Sequence, residues 1–170
     1  NQLISNEYKT EEKRKNKKGN MHMIFYNGIP KIISAKPDPK DDPRRSILNK
    51  SSLKDTTDPI TGILNIGFKN QCLQLSKIFD GKRRYNIIAK NNEEEIIKKN
   101  EFFKKDIKVI KCLFDIEKLE GYTNKEIKKY PRKGIIWFKK YDDVNLYLPA
   151  KIEITTNWGS FICLIKERKK

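Results

Sequence analysis

Residues 58–64 read DPITGIL and residues 79–85 read FDGKRRY, and these two stretches decide how the chain folds. In the first, Asp58 can cap a helix and Pro59 suits the first helical position. Apolar side chains then recur at helical spacing: Ile60, Ile63, Leu64 and Phe68. The pattern predicts one short helix, around residues 58–69, which needs a sheet to lie on because an isolated helix of this length is unstable.

The second stretch predicts a tight turn at Asp80-Gly81 between two strands. Alternating or β-branched runs bounded by turn residues predict the other strands. The predicted strands are 21–26, 29–35, 73–79, 84–90, 107–116, 134–141, 150–156 and 160–167, with turns at Asn27-Gly28 and Asn157-Trp158-Gly159. The fold class is therefore mainly β, an antiparallel β-roll or barrel-like sheet of about eight strands.

Domain organisation follows from the same patterns. Residues 1–19 are polar and predict an arm or a solvated edge strand, whereas residues 20–167 predict a single β-rich domain. The proline- and aspartate-rich segment 36–57 predicts a loop. Residues 91–105 are compatible with a helix or with the tip of an elongated hairpin.

The net charge of +16 points to an anionic partner, but its composition weakens that interpretation. Of the 38 basic residues 31 are Lys, and Lys, Ile and Asn together make up 70 of 170 residues. Codons rich in A and T favour these amino acids, and nucleic-acid readers rely more on Arg. Nucleic-acid binding is therefore not expected, and anionic head groups of an envelope membrane are the preferred alternative. No apolar run is long enough for a transmembrane helix.

Motifs for catalysis, metals and cofactors are missing from the sequence. The single histidine, His22, lies in a strand pattern, and the three cysteines show no zinc-binding spacing. No phosphate-binding loop is present. We therefore expect neither catalysis nor a metal or cofactor, although carboxylates paired in space could still form a hydrolytic site.

The three cysteines allow two interpretations. In an exported protein Cys72 and Cys112 could form a disulfide, and Cys163 would then be a buried free thiol beside Phe161 and Ile165. In a cytosolic protein all three would be reduced core residues.

The candidate ligand-binding residues are Arg83, Arg84, Tyr85 and Trp137. Strand alternation sends the two arginines to opposite faces. One could pair with Asp58 or Asp80 as an internal strut, and the other could meet solvent or an anionic ligand. Aromatic residues of the C-terminal half could stack on bases, but they more often form the core of a sheet.

With these residues in hand, the chain resembles a bacterial exported-protein family catalogued as domain of unknown function 3108, over about residues 20–167. The resemblance rests on Asp58-Pro59, Cys72, residues 79–85, Cys112, Gly121-Tyr122, Leu148-Pro149 and Trp158-Gly159. Lys82 stands where the family pattern has Arg, and the signal segment and first strands of the family are not in this chain. The resemblance implies a mostly antiparallel β structure in the periplasm or at the outer membrane of a Gram-negative-type cell, and it implies no reaction.

Four functional hypotheses follow. The first is a non-catalytic envelope protein that binds a lipid or another amphipathic component, with lysines at the rim of the site. Its apolar lining is predicted to include Met21, Met23, Phe25, Trp137, Phe138 and Ile154. The alternatives are a hydrolase of envelope polymers that uses Asp58 and Asp80 with Arg83 or Arg84, a nucleic-acid-binding protein, and a module that binds a partner through an exposed sheet edge.

Overall fold

The computed structural model describes residues 2–14, 17–68, 72–130, 132–142, 146–156 and 159–165. The elements are β1 (Glu7–Arg14), β2 (Lys17–Tyr26), β3 (Ile29–Lys36), α1 (Pro59–Gly67), β4 (Leu75–Phe79), β5 (Arg84–Ile97), β6 (Ile107–Glu120), α2 (Asn124–Lys129), β7 (Lys133–Tyr141), β8 (Leu146–Thr156) and β9 (Gly159–Leu164). The prediction of a mainly β, antiparallel fold is confirmed. The described strands form two open sheets, in the orders β1-β2-β3 and β4-β5-β6-β7-β8-β9, rather than a closed barrel.

The first sheet is built on the hairpin of β2 and β3. Asn27 and Gly28 adopt φ angles of 50° and 73°, as the predicted tight turn requires. The predicted alternation of β2 is confirmed, since Met21, Met23 and Phe25 are buried and pack with Phe79. At the N-terminus, β1 pairs antiparallel with β2.

The second sheet runs through successive antiparallel neighbours. Of the two alternatives for residues 91–105, the elongated hairpin is correct, because β5 extends to Ile97 and β6 begins at Ile107. Next to β6, β7 pairs with β8, and β8 carries a β-bulge at Ala150, since Trp137 is opposite Lys151 and Phe138 is opposite Pro149. Trp137 and Phe138 are consecutive on β7, so their side chains lie on opposite faces of the sheet. The predicted turn residues Asn157 and Trp158 lie outside the described residues, as does the end of the last predicted strand.

Helix α1 forms where the sequence predicts it, but its buried side differs. Ile60 is 60% exposed, whereas Ile66, which was not in the predicted apolar stripe, is fully buried. Glycine explains the difference. A Cβ on Gly62 would lie 1.9 Å from Cδ1 of Ile78, so the glycine allows this side of the helix to lie close to Ile78. The short helix α2 was not predicted from the sequence.

The chain divides into two compact units. The first comprises Asn1–Gly62, Ser76–Asn86 and Glu117–Lys129, and the second comprises Ile63–Leu75, Ile87–Ile116 and Tyr130–Lys170. The boundary predicted between residues 19 and 20 falls inside β2. The division into an arm, 1–19, and a single domain, 20–167, stays a prediction. None of the described helices has both the length and the apolar character needed to cross a bilayer.

Candidate ligand-binding site

A cavity of about 750 Å³ lies in the second unit, where β5 ends, β6 begins, β7 ends and β8 begins. We call it the trough. Its lining consists of Glu94, Glu95, Ile96, Lys105, Asp106, Ile107, Lys108, Val109, Ile110, Phe138, Lys139, Lys140, Asp142 and Tyr147. These residues come from neighbouring strands, so the sheet register determines which side chains share the cavity.

The floor of the trough is apolar. Ile110 and Phe138 are opposite each other in the β6–β7 register, and both are buried. Phe138 also supports the end of α1, because a Cβ on Gly67 would lie only 2.4 Å from Cδ1 of Phe138. Ile96 remains half exposed at the same cavity. The floor therefore combines buried, supported side chains with apolar surface that a ligand could cover.

Lysines border this floor. Because side chains alternate along a strand, Lys108 shares a face with Ile110, and Lys140 shares a face with Phe138. Lys140 is opposite Tyr147 in the β7–β8 register. The side chains of Lys108 and Lys140 therefore start next to the apolar floor.

Most carboxylates of the rim already have partners. Glu95 accepts a hydrogen bond from Nε1 of Trp137 at 3.1 Å, and Asp106 accepts one from Nζ of Lys98 at 3.0 Å. Asp142 lies 3.4 Å from Nζ of Lys140. Three charged residues of the rim make no ion pair with any described residue: Lys105, Lys108 and Glu94. The unpaired charge of the rim is therefore mainly positive.

Trp137 belongs to the core on the other side of the same strand. It packs with Phe103, Ile107, Val109 and Ala150. The ammonium of Lys151 lies 4.0 Å from the ring centroid, a cation–π contact. These contacts occupy Trp137, and it does not line the trough.

Arg83 forms an internal strut in the first unit. Its Nε and Nη2 atoms lie 2.8 Å and 2.7 Å from Oδ2 of Asp80. Oδ1 of Asp80 accepts hydrogen bonds from the backbone N–H groups of Lys82 and Arg83 at 2.9 Å and 2.7 Å. The guanidinium also lies 5.9 Å from the ring centroid of Tyr122. The interpretation that one arginine pairs with Asp80 is confirmed, and these bonds hold the turn at Asp80-Gly81.

Arg84 is buried rather than solvent-facing. It donates hydrogen bonds to the carbonyl oxygens of Ser52 and Tyr85 and to Oδ1 of Asn86, at 2.9, 2.6 and 2.8 Å. Burial lowers the pKa of its guanidinium, and the nearby carboxylates of Glu120 and Glu117 oppose that shift. Arg84 thus satisfies buried acceptors within the first unit.

Tyr85 and Tyr8 are neutral groups held away from water. Burial raises the pKa of Tyr85 well above its ordinary value, and the charge of Asp80 adds to the shift. Burial likewise raises the pKa of Tyr8 to about 12, again with contributions from Asp80 and Asp58. Both phenols therefore stay protonated at any physiological pH.

We expect stability to fall at alkaline pH because of Tyr8. Its pKa is about 12 in the folded protein against an ordinary value of 10.0, so the folded state keeps the proton longer. The stabilisation is complete below pH 10 and is lost as the pH rises towards 12. Chemical denaturation across this range should show a shallower loss of stability for Tyr8→Phe than for the wild type. Equal slopes for the two proteins would contradict this assignment.

Asp58 caps α1, and both oxygens of its carboxylate accept hydrogen bonds. Oδ1 accepts from the backbone N–H groups of Ile60 and Thr61 at 2.8 and 3.1 Å. Oδ2 accepts from the hydroxyls of Ser5 and Thr61, both at 2.6 Å. Pro59 occupies the first helical position, as predicted. The group is buried and its acceptor positions are filled, which is the arrangement of a structural cap.

The remaining motif residues lie at turns and at the bulge. Gly81 follows Asp80 in the β4–β5 turn, and Gly159 begins β9. Pro149 is buried opposite Phe138 at the β-bulge. Gly121 follows β6, where its N–H donates to Oγ of Ser46 at 2.9 Å and its carbonyl accepts from Nη1 of Arg45 at 2.8 Å. Trp158, the other half of the last motif, lies outside the described residues.

Cys72 and Cys112 form a disulfide within the second unit, with their Cα atoms 5.5 Å apart. Both are buried, and Cys112 shares the face of β6 on which Ile110 lies. The expectation of a buried free thiol at Cys163 is wrong. Cys163 is free but exposed, and Phe161 and Ile165 beside it are exposed as well. Among the described strands β9 pairs with β8 alone, and its side chains at Phe161, Ile162 and Cys163 are exposed.

Sequence reasoning found few of the residues that line the trough. Of the six predicted lining residues only Phe138 is among them, because Met21, Met23 and Phe25 fill the core of the first unit. The prediction from the sequence did not include Ile96, Lys108 and Tyr147. The residues around each of them show at most a strand pattern, which does not indicate a binding site. The pairing of strands, which brings these positions together, leaves no local signature.

Residues 1–166 match the family described as "Protein of unknown function (DUF3108)", and the chain belongs to that family. The resemblance found in the sequence is thereby confirmed. No curated protein and no solved structure matches the chain.

Proposed function

We propose that this member of the DUF3108 family is a non-catalytic envelope protein that binds an amphipathic molecule in the trough. The apolar part of the ligand lies on the floor, and an anionic head group meets the lysines of the rim. The observation that carries the proposal is a cavity of about 750 Å³ with an apolar floor and mainly positive unpaired charge. This volume falls within the range of roughly 300–1,000 Å³ that is usual for small-molecule sites.

The apolar half of the proposal rests on Ile96, Ile110 and Phe138. Phe138 packs against Gly67 at the end of α1, and Ile110 is buried opposite Phe138. Ile96 is 49% exposed at the trough, so an acyl chain that covers it would remove apolar area from water. Only the buried part of the floor, Ile110 and Phe138, is in place before a ligand arrives, which reduces the entropic cost of binding there.

The charged half of the proposal rests on Lys105 and Lys108. Neither makes an ion pair with a described residue, so an anionic head group would not have to break an internal contact. The net charge of +16 adds a long-range attraction for anions. This attraction acts on the rate of encounter, whereas the apolar floor selects amphipathic molecules over other anions.

An address outside the cytoplasm is supported by the Cys72–Cys112 disulfide, since such bonds persist in oxidising compartments. We place the protein in the periplasm or at the outer membrane. The non-catalytic assignment is supported by Asp58 and Asp80, whose oxygens are taken up by an N-cap and by a turn. Neither carboxylate is free to act on a substrate in this arrangement.

Native mass spectrometry on protein secreted to the periplasm of a Gram-negative host tests the proposal. We expect a bound lipid-sized mass on part of the protein. The purified protein is then titrated with dioctanoyl phosphatidylglycerol and with dioctanoyl phosphatidylcholine, which have the same chains and differ in head-group charge. The anionic lipid should bind more tightly. Absence of binding to both lipids would contradict the proposal, and so would equal binding to single-stranded DNA across a salt series.

Two substitutions test separately the contact with the apolar part of the ligand and the contact with its anionic head group. Ile96→Asn replaces an exposed apolar side chain of the floor, and it should lower the affinity for both lipids by about tenfold. Lys108→Gln removes one positive charge from the rim. It should lower only the affinity for the anionic lipid, by about fivefold, since a lysine near an anionic surface contributes about 1 kcal/mol to binding. Native mass spectrometry or calorimetric titration gives both affinities.

The chain offers matched controls for both variants. Ile33→Asn changes an isoleucine of similar exposure, 47%, on β3 of the other sheet. Lys31→Gln removes an exposed lysine from the same strand. Both controls should bind like the wild type. If they lose affinity as much as Ile96→Asn and Lys108→Gln do, the trough is not the binding site.

A further inference from the structure

Three lysines lie at one end of the trough. Strands β6 and β7 are antiparallel, with Ile110 opposite Phe138. Lys108 precedes Ile110 on β6 and Lys140 follows Phe138 on β7, so both lysines lie where β6 begins and β7 ends. Lys105, which comes just before β6, lines the same end. We call this region the lysine end.

Lys108 and Lys140 also project from the same face of the sheet, as the alternation along β6 and β7 requires. Neighbouring strands lie about 4.8 Å apart, so the two side chains start close enough for both ammonium groups to contact one group of a ligand. Like charges side by side on neighbouring strands destabilise the pairing. An anion bound between the two lysines would remove this repulsion.

The carboxylates that line the trough do not neutralise the lysine end. Asp142 lies 3.4 Å from Nζ of Lys140, but its side chain is 87% exposed, so a bound anion can displace it at little cost. Asp106 already accepts a hydrogen bond from Lys98, which does not line the trough. Glu94 lies deeper, because β5 continues past it before the strand ends. The lysine end therefore keeps an excess of positive charge.

We propose that the head group bound at the lysine end is a phosphate monoester, held between Lys108 and Lys140. A phosphate monoester carries about two negative charges at pH 7, whereas a phosphodiester carries one. Lys105, Lys108 and Lys140 supply three positive charges, of which Asp142 offsets one. A dianion offsets the other two. This inference rests on the proposed function, because it specifies the head group of the molecule that the trough binds.

The hydrogen-bond donors at the lysine end fit the same head group. A phosphate monoester has three terminal oxygens that accept hydrogen bonds, and a phosphodiester has only two. Lys108 and Lys140 each present an ammonium group with three donors. Tyr147 is opposite Lys140 in the β7–β8 register and lines the trough, so its hydroxyl is a third donor at this end. Each terminal oxygen of a monoester thus has a donor.

The dianion could be supplied by a lipid head group or by free phosphate, and an exposed apolar side chain favours the lipid. Ile96 lies one residue before the end of β5, close to the lysine end, and is 49% exposed. Free phosphate would leave this apolar surface in water, whereas the chain of a lipid would cover it. The ligand class is therefore a lipid with a terminal phosphate, such as a phosphatidic acid.

Calorimetric titration at pH 8 compares dioctanoyl phosphatidic acid with its methyl ester, dioctanoyl phosphatidylmethanol. The two lipids differ by one methyl group and one negative charge, because the second pKa of a phosphate monoester is about 6. Phosphatidic acid should bind about fivefold more tightly, the effect of one further charge beside a lysine. Equal affinities would overturn this inference and leave the proposed function standing. If neither lipid binds, both are overturned.

Sodium phosphate, titrated under the same conditions, distinguishes the two sources of the dianion. It should bind at least about tenfold more weakly than phosphatidic acid, because it lacks the chains that cover apolar surface. If it binds as tightly as phosphatidic acid, the lysine end is a site for the free dianion. That result would support the dianion site and contradict the lipid ligand of the proposed function.

Three variants test the residues. Lys140→Gln should abolish the fivefold preference for phosphatidic acid over its methyl ester. Asp142→Asn removes the carboxylate that competes for Lys140, and it should raise the affinity for phosphatidic acid by about twofold. The matched control is Lys133→Gln, at an exposed lysine of β7 that does not line the trough, and it should keep the preference. Circular dichroism verifies that each variant is folded. The inference is overturned if folded Lys140→Gln keeps the preference, or if Lys133→Gln loses it as well.

Discussion

Replacing both Cys72 and Cys112 by alanine is expected to lower the free energy of unfolding by about 4 kcal/mol. The disulfide joins residues 40 positions apart in the sequence. In the chain-entropy model a closed loop of that length lowers the entropy of the unfolded chain, which raises the free energy of unfolding by about 4 kcal/mol. Alanine is preferred to serine because both sites are buried, and a hydroxyl there would need a hydrogen-bond partner. Chemical denaturation under non-reducing conditions measures the loss.

Cys163→Ala is the control for this prediction. Its side chain is exposed, so the change should alter stability by no more than about 0.5 kcal/mol. Reductant should destabilise the wild type and leave the double alanine variant unchanged. A double variant as stable as the wild type would show that the bond does not restrict the unfolded chain as the model requires.

Gly121→Ala is expected to cost about 3 kcal/mol. Gly121 has a φ angle of +77°, a backbone conformation that costs an L-residue about 1–2 kcal/mol. An added Cβ would also lie 2.0 Å from the carbonyl oxygen of Lys82, which belongs to the backbone and cannot swing away as a side chain could. Forcing the backbone apart adds typically 1–3 kcal/mol. Chemical denaturation again gives the difference.

Gly159→Ala separates the two causes. Gly159 also has a positive φ, +122°, but an added Cβ would have no atom within 4 Å. This variant should therefore lose only the conformational part, about 1–2 kcal/mol. If Gly121→Ala costs no more than Gly159→Ala, the close approach to Lys82 relaxes without penalty.

The sequence predicted those elements whose cause lies within a few residues. Asp58 caps α1 because its carboxylate reaches the N–H groups two and three residues on, which a short-range pattern already implies. Asn27-Gly28 makes a hairpin turn because both residues tolerate positive φ. The buried face of β2 follows from simple alternation.

Errors arose where packing between distant segments decides the outcome. The buried side of α1 is determined by Gly62 and Gly67, because close approach to Ile78 and to Phe138 is possible only without a side chain. Counting apolar residues along the helix favours Ile60 instead. Cys163 was expected to be buried because its neighbours are apolar, but the burial of a strand depends on what packs against its faces: β4 and β9 both lie at ends of the described sheet, and only β4 contains buried residues.

The candidate site shows the same division. The sequence by itself determined the family, the strand-rich character, the cap at Asp58 and the turn at Asp80-Gly81, because each of these depends on residues that are close together in the chain. Only the tertiary structure decided that Arg83 and Arg84 serve internal contacts, that Ile96, Lys108 and Phe138 share one trough, and that the side chains of β9 are exposed. The physical reason is that alternation assigns side chains to two faces of a strand, whereas strand order and register decide what each face meets.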